Sequence, residues 1–485
     1  MTLRVSLQYG DGEVEVDLPP GSVALTADLS REPEPLPDPD AATRAAIAQP
    51  TGLAPIGALV GPGSTVTISF PDRVKGGSHA TAHRKLSIPA VLDELRAAGV
   101  RDRDITLVCA IGLHRKNRPE EWAEYLGQGL LERCSEMRLV NHDAEDPEAM
   151  VDLGESSLGD PVAANRFAVE ADLSVLIGHA AGNPYGGYSG GWKMPATGLT
   201  SWRSIAAHHA PRTMYRPDFV PATPYGRFRE QLKSIGERME AHLGSPFFAV
   251  DAVLDSRSRQ LAVAAGAINE VEQASWPVAG ARTDVELDAE PFDVLLLGMP
   301  RTFHYGPGMG SNPILMMQAC GAGIVRAAKA MIDQPVVIAA SVCDGWFNDD
   351  DFPSYRPAFD LLQTVDHPRD MVQFHDQLST EPDLVDAYRN RWGYHPFHAF
   401  SMIYMGGVAL DKASRVIIAG AQRPGLARAM GARTAPDVEG ALKQAADLLG
   451  RTPRVLCVPQ LTAPAFHPHV TGLVAVGEGA PQQLG

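Results

Sequence analysis

A strand, helix, strand succession that occurs twice limits what this chain can fold into. Residues 65–70 (TVTISF) read as a short strand, an amphipathic helix follows over 88–98, and 105–111 is a second short apolar run. From Phe292 the pattern restarts, with a strand at 294–297, a long apolar helix over 313–332 and a strand at 336–340. Further short runs at 173–177, 416–419 and 455–458, with helical stretches at 119–133 and 437–449, continue the alternation. Short apolar strands separated by helices build parallel sheets, because a parallel crossover needs a dozen or more residues and a helix supplies them. The expected class is therefore α/β, as two α/β domains with mainly parallel sheets and an active-site cleft between them. A polar boundary near 281–291 gives domains 1–287 and 288–485, with the last segment able to pack back on the first domain. Residues 2–8 and 13–18 alternate around Tyr9-Gly10-Asp11-Gly12, an opening hairpin, and the proline-rich 30–40 is a linker.

Composition removes some function classes. The net charge is −16, so no cationic field recommends a nucleic acid or an anionic membrane as partner. The five cysteines are dispersed without C-x-x-C spacing, as in reduced cytoplasmic proteins. The N-terminus alternates where a signal peptide needs an apolar core, and no apolar run reaches membrane-spanning length. A cytoplasmic protein is expected; oligomeric state is open.

In open α/β sheets ligands bind beyond the carboxyl ends of strands. The segments after the first three strands are Pro71-Asp72-Arg73-Val74-Lys75-Gly76-Gly77-Ser78-His79, Gly112-Leu113-His114-Arg115-Lys116-Asn117 and, from His179, a glycine-rich run ending Tyr188-Ser189-Gly190-Gly191-Trp192-Lys193. They gather Lys75, Arg84, Lys85, His114, Arg115, Lys116 and Lys193 in an acidic chain, which points to an anionic ligand. His114 suits a helix cap as well as proton transfer. The glycine run suits a tight turn, or an anion nest of backbone N–H groups beside Lys193. His79 and His83 have metal-pair spacing but no third ligand, and only one of His208 and His209 can face a given site. Gly187-Tyr188-Ser189-Gly190-Gly191 matches G-x-S-x-G, yet its strand ends about ten residues earlier at Ile177, against a hydrolase elbow.

The ordered set Pro71-Asp72-x-x-Lys75, Gly112-Leu113-His114-Arg115, Gly187 to Lys193 and His209 resembles the lactate racemase family, enzymes that use a nickel-pincer nucleotide. The resemblance implies that Lys193 carries this pyridinium mononucleotide with nickel through a thioamide link, with Ser189, Gly190 and Gly191 around it. It implies His209 as the nickel ligand and His114 as the general base, with Asp72 beside it. The substrate class it implies is a small 2-hydroxy acid, and cofactor-synthesis enzymes are implied partners.

Several positions depart from the family. The second catalytic histidine falls on Asn183, which cannot act as a base, so His179 or His304 is a candidate for that role. The carboxylate-gripping arginine of D-x-T-R is Lys75, leaving Arg73 or Arg84 to hold the acid. The Q-x-x-K pair of the second domain falls on Leu315 and Gln318, and a family tryptophan corresponds to Trp392. An intact cofactor set beside altered substrate positions leads to a racemase or epimerase of a 2-hydroxy acid other than lactate, such as a larger or sugar acid. A one-way oxidoreductase at the same cofactor and a non-catalytic scaffold for an anionic metabolite are the alternatives.

Overall fold

The computed structural model describes residues 2–303, 305–461 and 465–471. The opening alternation forms a hairpin: β1 (Leu3–Gly10) pairs antiparallel with β2 (Gly12–Leu18), burying Val5, Leu7, Val16 and Leu18 on one face. A short β3 (Val23–Ala24) follows. The first sheet contains β4 (Val66–Pro71), β5 (Ile105–Ala110), β6 (Arg138–Asn141), β7 (Leu173–Ala180), β8 (Phe248–Leu254) and β9 (Gln260–Gly266). Its order is β9-β8-β7-β4-β5-β6, and every pairing is parallel except β8 with β9. The chain winds outward from β4 to β5 and β6 on one side, and through β7 to β8 on the other. The reversal of strand order at β4 and β7 opens a crevice at their carboxyl ends, where such sheets bind ligands.

The helices that matter for the site in this part are α1 (His83–Ala97), α2 (Lys193–Gly198), α3 (Trp202–His208), α4 (Arg227–Leu243) and α5 (Ile268–Thr283). The remainder supplies β10 (Asp284–Leu287), β11 (Phe292–Pro300), α6 (Pro313–Ala327), β12 (Met331–Ala340), α7 (Phe397–Lys412), β13 (Arg415–Ala419), β14 (Arg433–Ala435), α8 (Val438–Leu449), β15 (Val455–Val458) and β16 (His467–Val470). The second sheet runs β14-β13-β12-β11-β1-β2, and β15 joins β11 to β3. The hairpin, placed by the 287/288 division with the first domain, therefore lies in the second sheet. Its pairing partner is remote in sequence, Tyr9 facing Met299, which local periodicity does not register. At the other end of the chain β16 pairs parallel with β10.

Two helices are shorter than their apolar runs. Gly127, at φ +84°, splits 119–133 into Glu121–Leu126 and Gln128–Arg133. The run over 313–332 stops at Ala327, because Met331 already pairs with Phe292 as β12. Among the described residues no helix is long and apolar enough to cross a membrane.

α6 and α7 pack closely because glycines remove the side chain at the crossing. A Cβ on Gly321 would collide with the Met405 backbone, and one on Gly406 would press on Met317. Gly321→Ala is expected to cost about 1–3 kcal/mol through overpacking, read as a lower urea midpoint with an unchanged slope.

Candidate active site

The loops after β4, β5 and β7 converge on a cavity of about 320 Å³, whose other wall is formed by Tyr305 and by residues of α6 and α7. Asp72, Lys75, His114, Asn183, Ser189, Gly190, Lys193, His209 and Gln318 all line it. A larger groove, about 600 Å³, lies over the hairpin against α8, but Glu15, Asp17, Asp437 and Glu439 line it and would repel an acid.

His114 is the residue best arranged to move a proton. Its Nδ1 lies 2.5 Å from Asp72 Oδ2, and the other oxygen, Oδ1, accepts from Val74 N at 3.2 Å. Burial acts to raise the Asp72 pKa, but the charge and hydrogen bond of His114, with Lys75 and Arg73, outweigh it and hold the carboxyl at about 2. An ionised Asp72 fixes the proton of His114 on Nδ1 and leaves Nε2 as an acceptor. The loop is pinned by residues remote in sequence: Tyr388 Oη donates to Gly112 O at 3.0 Å, and His395 N donates to Leu113 O at 2.9 Å.

The glycine-rich run is a support for Lys193 and does not form an anion nest. Gly191 N donates to Asp251 Oδ2 at 2.7 Å and Trp192 N donates to Glu272 Oε1 at 2.9 Å, so those N–H groups are spent within the protein. Gly190 and Gly191 have φ of +72° and +50°, and Cβ atoms there would meet the Asp251 and Glu272 carboxylates. Ser189 Oγ donates to His179 O at 2.9 Å and accepts from Ala181 N at 3.1 Å, a loop staple with no nucleophilic arrangement. Gly191, unlike its neighbour Gly190, is not part of the lining. The lysine so presented lies over the Phe228 ring at 5.2 Å. Burial first, then Lys75 and Arg229, lower its pKa to about 7. Near neutral pH the amine is therefore substantially unprotonated and nucleophilic. An amine-reactive reagent at pH 7.5 is expected to label Lys193 ahead of surface lysines. Below pH 7 labelling should fall about tenfold per pH unit as the amine protonates, a trend that peptide mass mapping would follow.

His209 follows α3, and its Nδ1 lies 2.7 Å from Nδ1 of His208. His208 Nε2 faces Ala196 O at 3.4 Å. A carbonyl only accepts, so His208 carries its proton on Nε2 and accepts at Nδ1 from His209 Nδ1–H. Nε2 of His209 then keeps a lone pair, the tautomer a metal ligand needs. Burial, the largest cause for both, keeps both rings neutral: His208 falls to about 3 and His209 well below its ordinary value. Among the described residues no group of three or more His, Cys, Asp or Glu could hold a metal ion.

Most of the basic residues in the loops are already partnered. Arg84 donates to the carbonyls of Pro71, Asp72, Gly77 and Tyr125, Lys85 to Ser78 O, Arg115 to Glu121 and Lys116 to Asp143. Arg84 thus staples the loop after β4, spends four of its five donors on carbonyls and is not part of the lining. Arg73 is not part of the lining and reaches Tyr394 Oη at 3.5 Å. Lys75 and Lys193 remain facing the cavity, joined by Arg326 of α6, which a search of strand-following loops misses. Its position two turns beyond Gln318 on one helix face was the available signal.

Asn183 lines the cavity, but its Oδ1 accepts from Tyr185 N at 2.9 Å and shapes its own turn. His179 also lines the cavity; burial, then Lys75 and other cations, lower it to about 3. His304 lies outside the described residues. His83 is structural, with Nε2 3.1 Å from Val250 O, and His79 faces Ser258 O, so the two form no metal pair. Leu315 is buried in the core and Gln318 reaches the cavity. Trp392 is 39% exposed and sits under Arg118 at the surface; the aromatics that pack on His114 are Tyr394 and Tyr305, with ring centroids 5.4 and 5.7 Å away. His398 of α7 is a further lining residue, its Nδ1 2.9 Å from Tyr355 Oη. Its ring meets that of His114 edge to face at 5.6 Å, so the two histidines stand at one end of the cavity and do not bracket it.

Residues 9–218 match the family model described as the lactate racemase N-terminal domain. Over this stretch the chain is similar to the lactate racemases. It is 30% identical over 133 residues to the lactate racemase of Thermoanaerobacterium thermosaccharolyticum, covering 27% of this chain and 30% of that protein. It is also 30% identical over 122 residues to that of Lactiplantibacillus plantarum, covering 25% and 28%. The matched stretch thus spans less than a third of either relative. The fold extends further: the lactate racemase apoprotein structure from T. thermosaccharolyticum superposes with a TM-score of 0.70 at 19% identity, covering 96% of this chain and 100% of that one. A Thermotoga maritima protein superposes with a TM-score of 0.56 at 14% identity, covering 91% and 100%.

Proposed function

We propose that this chain racemises or epimerises a 2-hydroxy acid other than lactate, using a nickel-pincer nucleotide held by Lys193 and His209. The observation that carries this reading is the convergence on one cavity of a lysine with a pKa of about 7, an imidazole with an available Nε2 lone pair, and a histidine oriented by an ionised aspartate. Lys193 would carry the thioamide link and His209 would supply the protein's nitrogen to nickel. When bound, the cofactor would supply hydride-accepting chemistry at the substrate's C2. The chain's own residues handle the proton and the charge. His114 Nε2 accepts the substrate hydroxyl proton, its imidazolium is stabilised by Asp72, and the same nitrogen gives the proton back. Lys75 adds a positive charge beside the acid.

Net oxidation or reduction at the same cofactor is a second reading, favoured by Asn183, whose side chain cannot take a proton and is tied to its own turn. The test uses protein co-produced with the cofactor-synthesis enzymes. A mass increment on Lys193, stoichiometric nickel and interconversion of enantiomers in a panel of 2-hydroxy acids, lactate excepted, are expected. An unmodified Lys193 would sink the proposal. Inversion with C2 deuterium retained supports racemisation, whereas loss of that deuterium to an external acceptor supports the second reading.

A further inference from the structure

Arg326 is a cation for which neither the fold nor the proton chemistry has a use. Gln318, Ala322 and Arg326 recur at i, i+4 and i+8 on α6 and all line the cavity. The Arg326 Nε is buried without a hydrogen-bond partner. The titratable groups that act on it or that it acts on are Arg282, Lys75 and His467, none of them anionic. On its other side lies a pocket of about 30 Å³ walled by Leu297, Val458 and Phe466, which offers no counter-charge. Gln318, only 6% exposed, likewise has an Oε1 with no partner. An arginine Nε and an amide oxygen shut off from water without partners are unfavourable, and a ligand that supplies both partners removes the penalty.

We propose that Arg326 anchors the substrate's carboxylate and that Gln318 accepts a hydroxyl from the same molecule. A guanidinium presents a planar fork that takes both carboxylate oxygens, which the ammonium of Lys75 cannot do. Gln318 and Arg326 are separated by about 12 Å of helix rise, shortened by the tilt of the arginine side chain toward the helix N-terminus. Ala322 leaves the space between them open. That span suits an acid longer than lactate with a polar group remote from the carboxylate. The assignment rests on the proposed function only in taking the ligand to be a hydroxy acid.

The test is calorimetry of cofactor-free protein with oxalate as the carboxylate probe. Wild type is expected to bind, and Arg326→Gln to bind about 10- to 100-fold more weakly, with a thermal midpoint no lower than wild type because the buried, unpartnered Nε has gone. Arg326→Lys keeps charge and length; it is expected to fold as wild type and still bind oxalate more weakly, since the fork is lost. Should the Gln variant fail to fold, the Lys variant decides. Oxalate affinity unchanged in either folded variant, or no binding by wild type, overturns the proposal. In co-produced protein the Lys193 mass increment should survive Arg326→Gln; its loss would assign the guanidinium to the cofactor's phosphate and overturn the carboxylate assignment. If wild type is never modified at Lys193 while oxalate still needs Arg326, the cofactor reading fails and the anchor stands.

Discussion

Asp72→Asn is expected to lower turnover by about 10²- to 10⁴-fold while leaving the Lys193 mass increment in place. The hydrogen bonds determine which way the new amide would sit. Val74 N donates to Oδ1, so the oxygen of the asparagine stays there and its NH2 takes the position of Oδ2, facing His114 Nδ1. An NH2 can only donate, so Nδ1 becomes the acceptor and the imidazole proton moves to Nε2, the nitrogen that must receive the substrate proton. The base is then blocked although every heavy atom is retained. A stability change accompanies this. The Asp72 carboxyl, held at about 2 against an ordinary 3.8, stabilises the fold fully above pH 4, and the contribution is lost as pH falls toward 2. That difference is worth about 2 kcal/mol at neutral pH. The variant should therefore melt earlier at pH 7, with the gap to wild type closing under acid. Turnover equal to wild type in a loaded Asp72→Asn protein would remove His114 as the base.

His114, Lys193 and His209 could be found in the sequence because each stands in, or shortly after, a loop that follows a recognisable parallel strand, and chain order fixes which loops share a sheet end. What those loops do with their donors could not be found there. Arg84, Arg115 and Lys116 look like ligand cations in a linear chain, yet each meets carbonyls or carboxylates brought to it by folding. The glycine run failed as a nest for the same reason: Asp251 and Glu272, some 60 to 80 residues downstream, occupy its N–H groups. Arg326 was hidden by the opposite effect, a cation near the end of an apolar helix that reads as core. Trp392, at a φ of +57°, lies at the surface, and Tyr394 two residues on meets His114. The hairpin's place in the second sheet is a long-range pairing of the same kind.

Glu272→Ala is expected to be the most destabilising of these changes, at about 3–5 kcal/mol. Glu272 is paired with Arg229, and both are buried, with exposures of 6% and 5%. Burial raises the Glu272 carboxyl and lowers the Arg229 guanidinium, so for each partner desolvation outweighs the attraction of the other. Such a pair adds little over apolar side chains of equal volume, but half of it is costly because a charge is left uncompensated. Arg229 would keep its bond to Tyr188 O and its contact with Trp276, while its charge would face a void beside Lys193. The Trp192 N–H would lose its acceptor as well. The double variant Arg229→Met with Glu272→Leu should recover much of the loss in urea denaturation, a coupling that a double-mutant cycle reads directly. It should not recover selective labelling of Lys193, because the orphaned Trp192 N–H no longer fixes the turn that presents the amine. Recovery of both would show that the ion pair serves the core alone; recovery of stability without labelling would show that it holds the lysine in place.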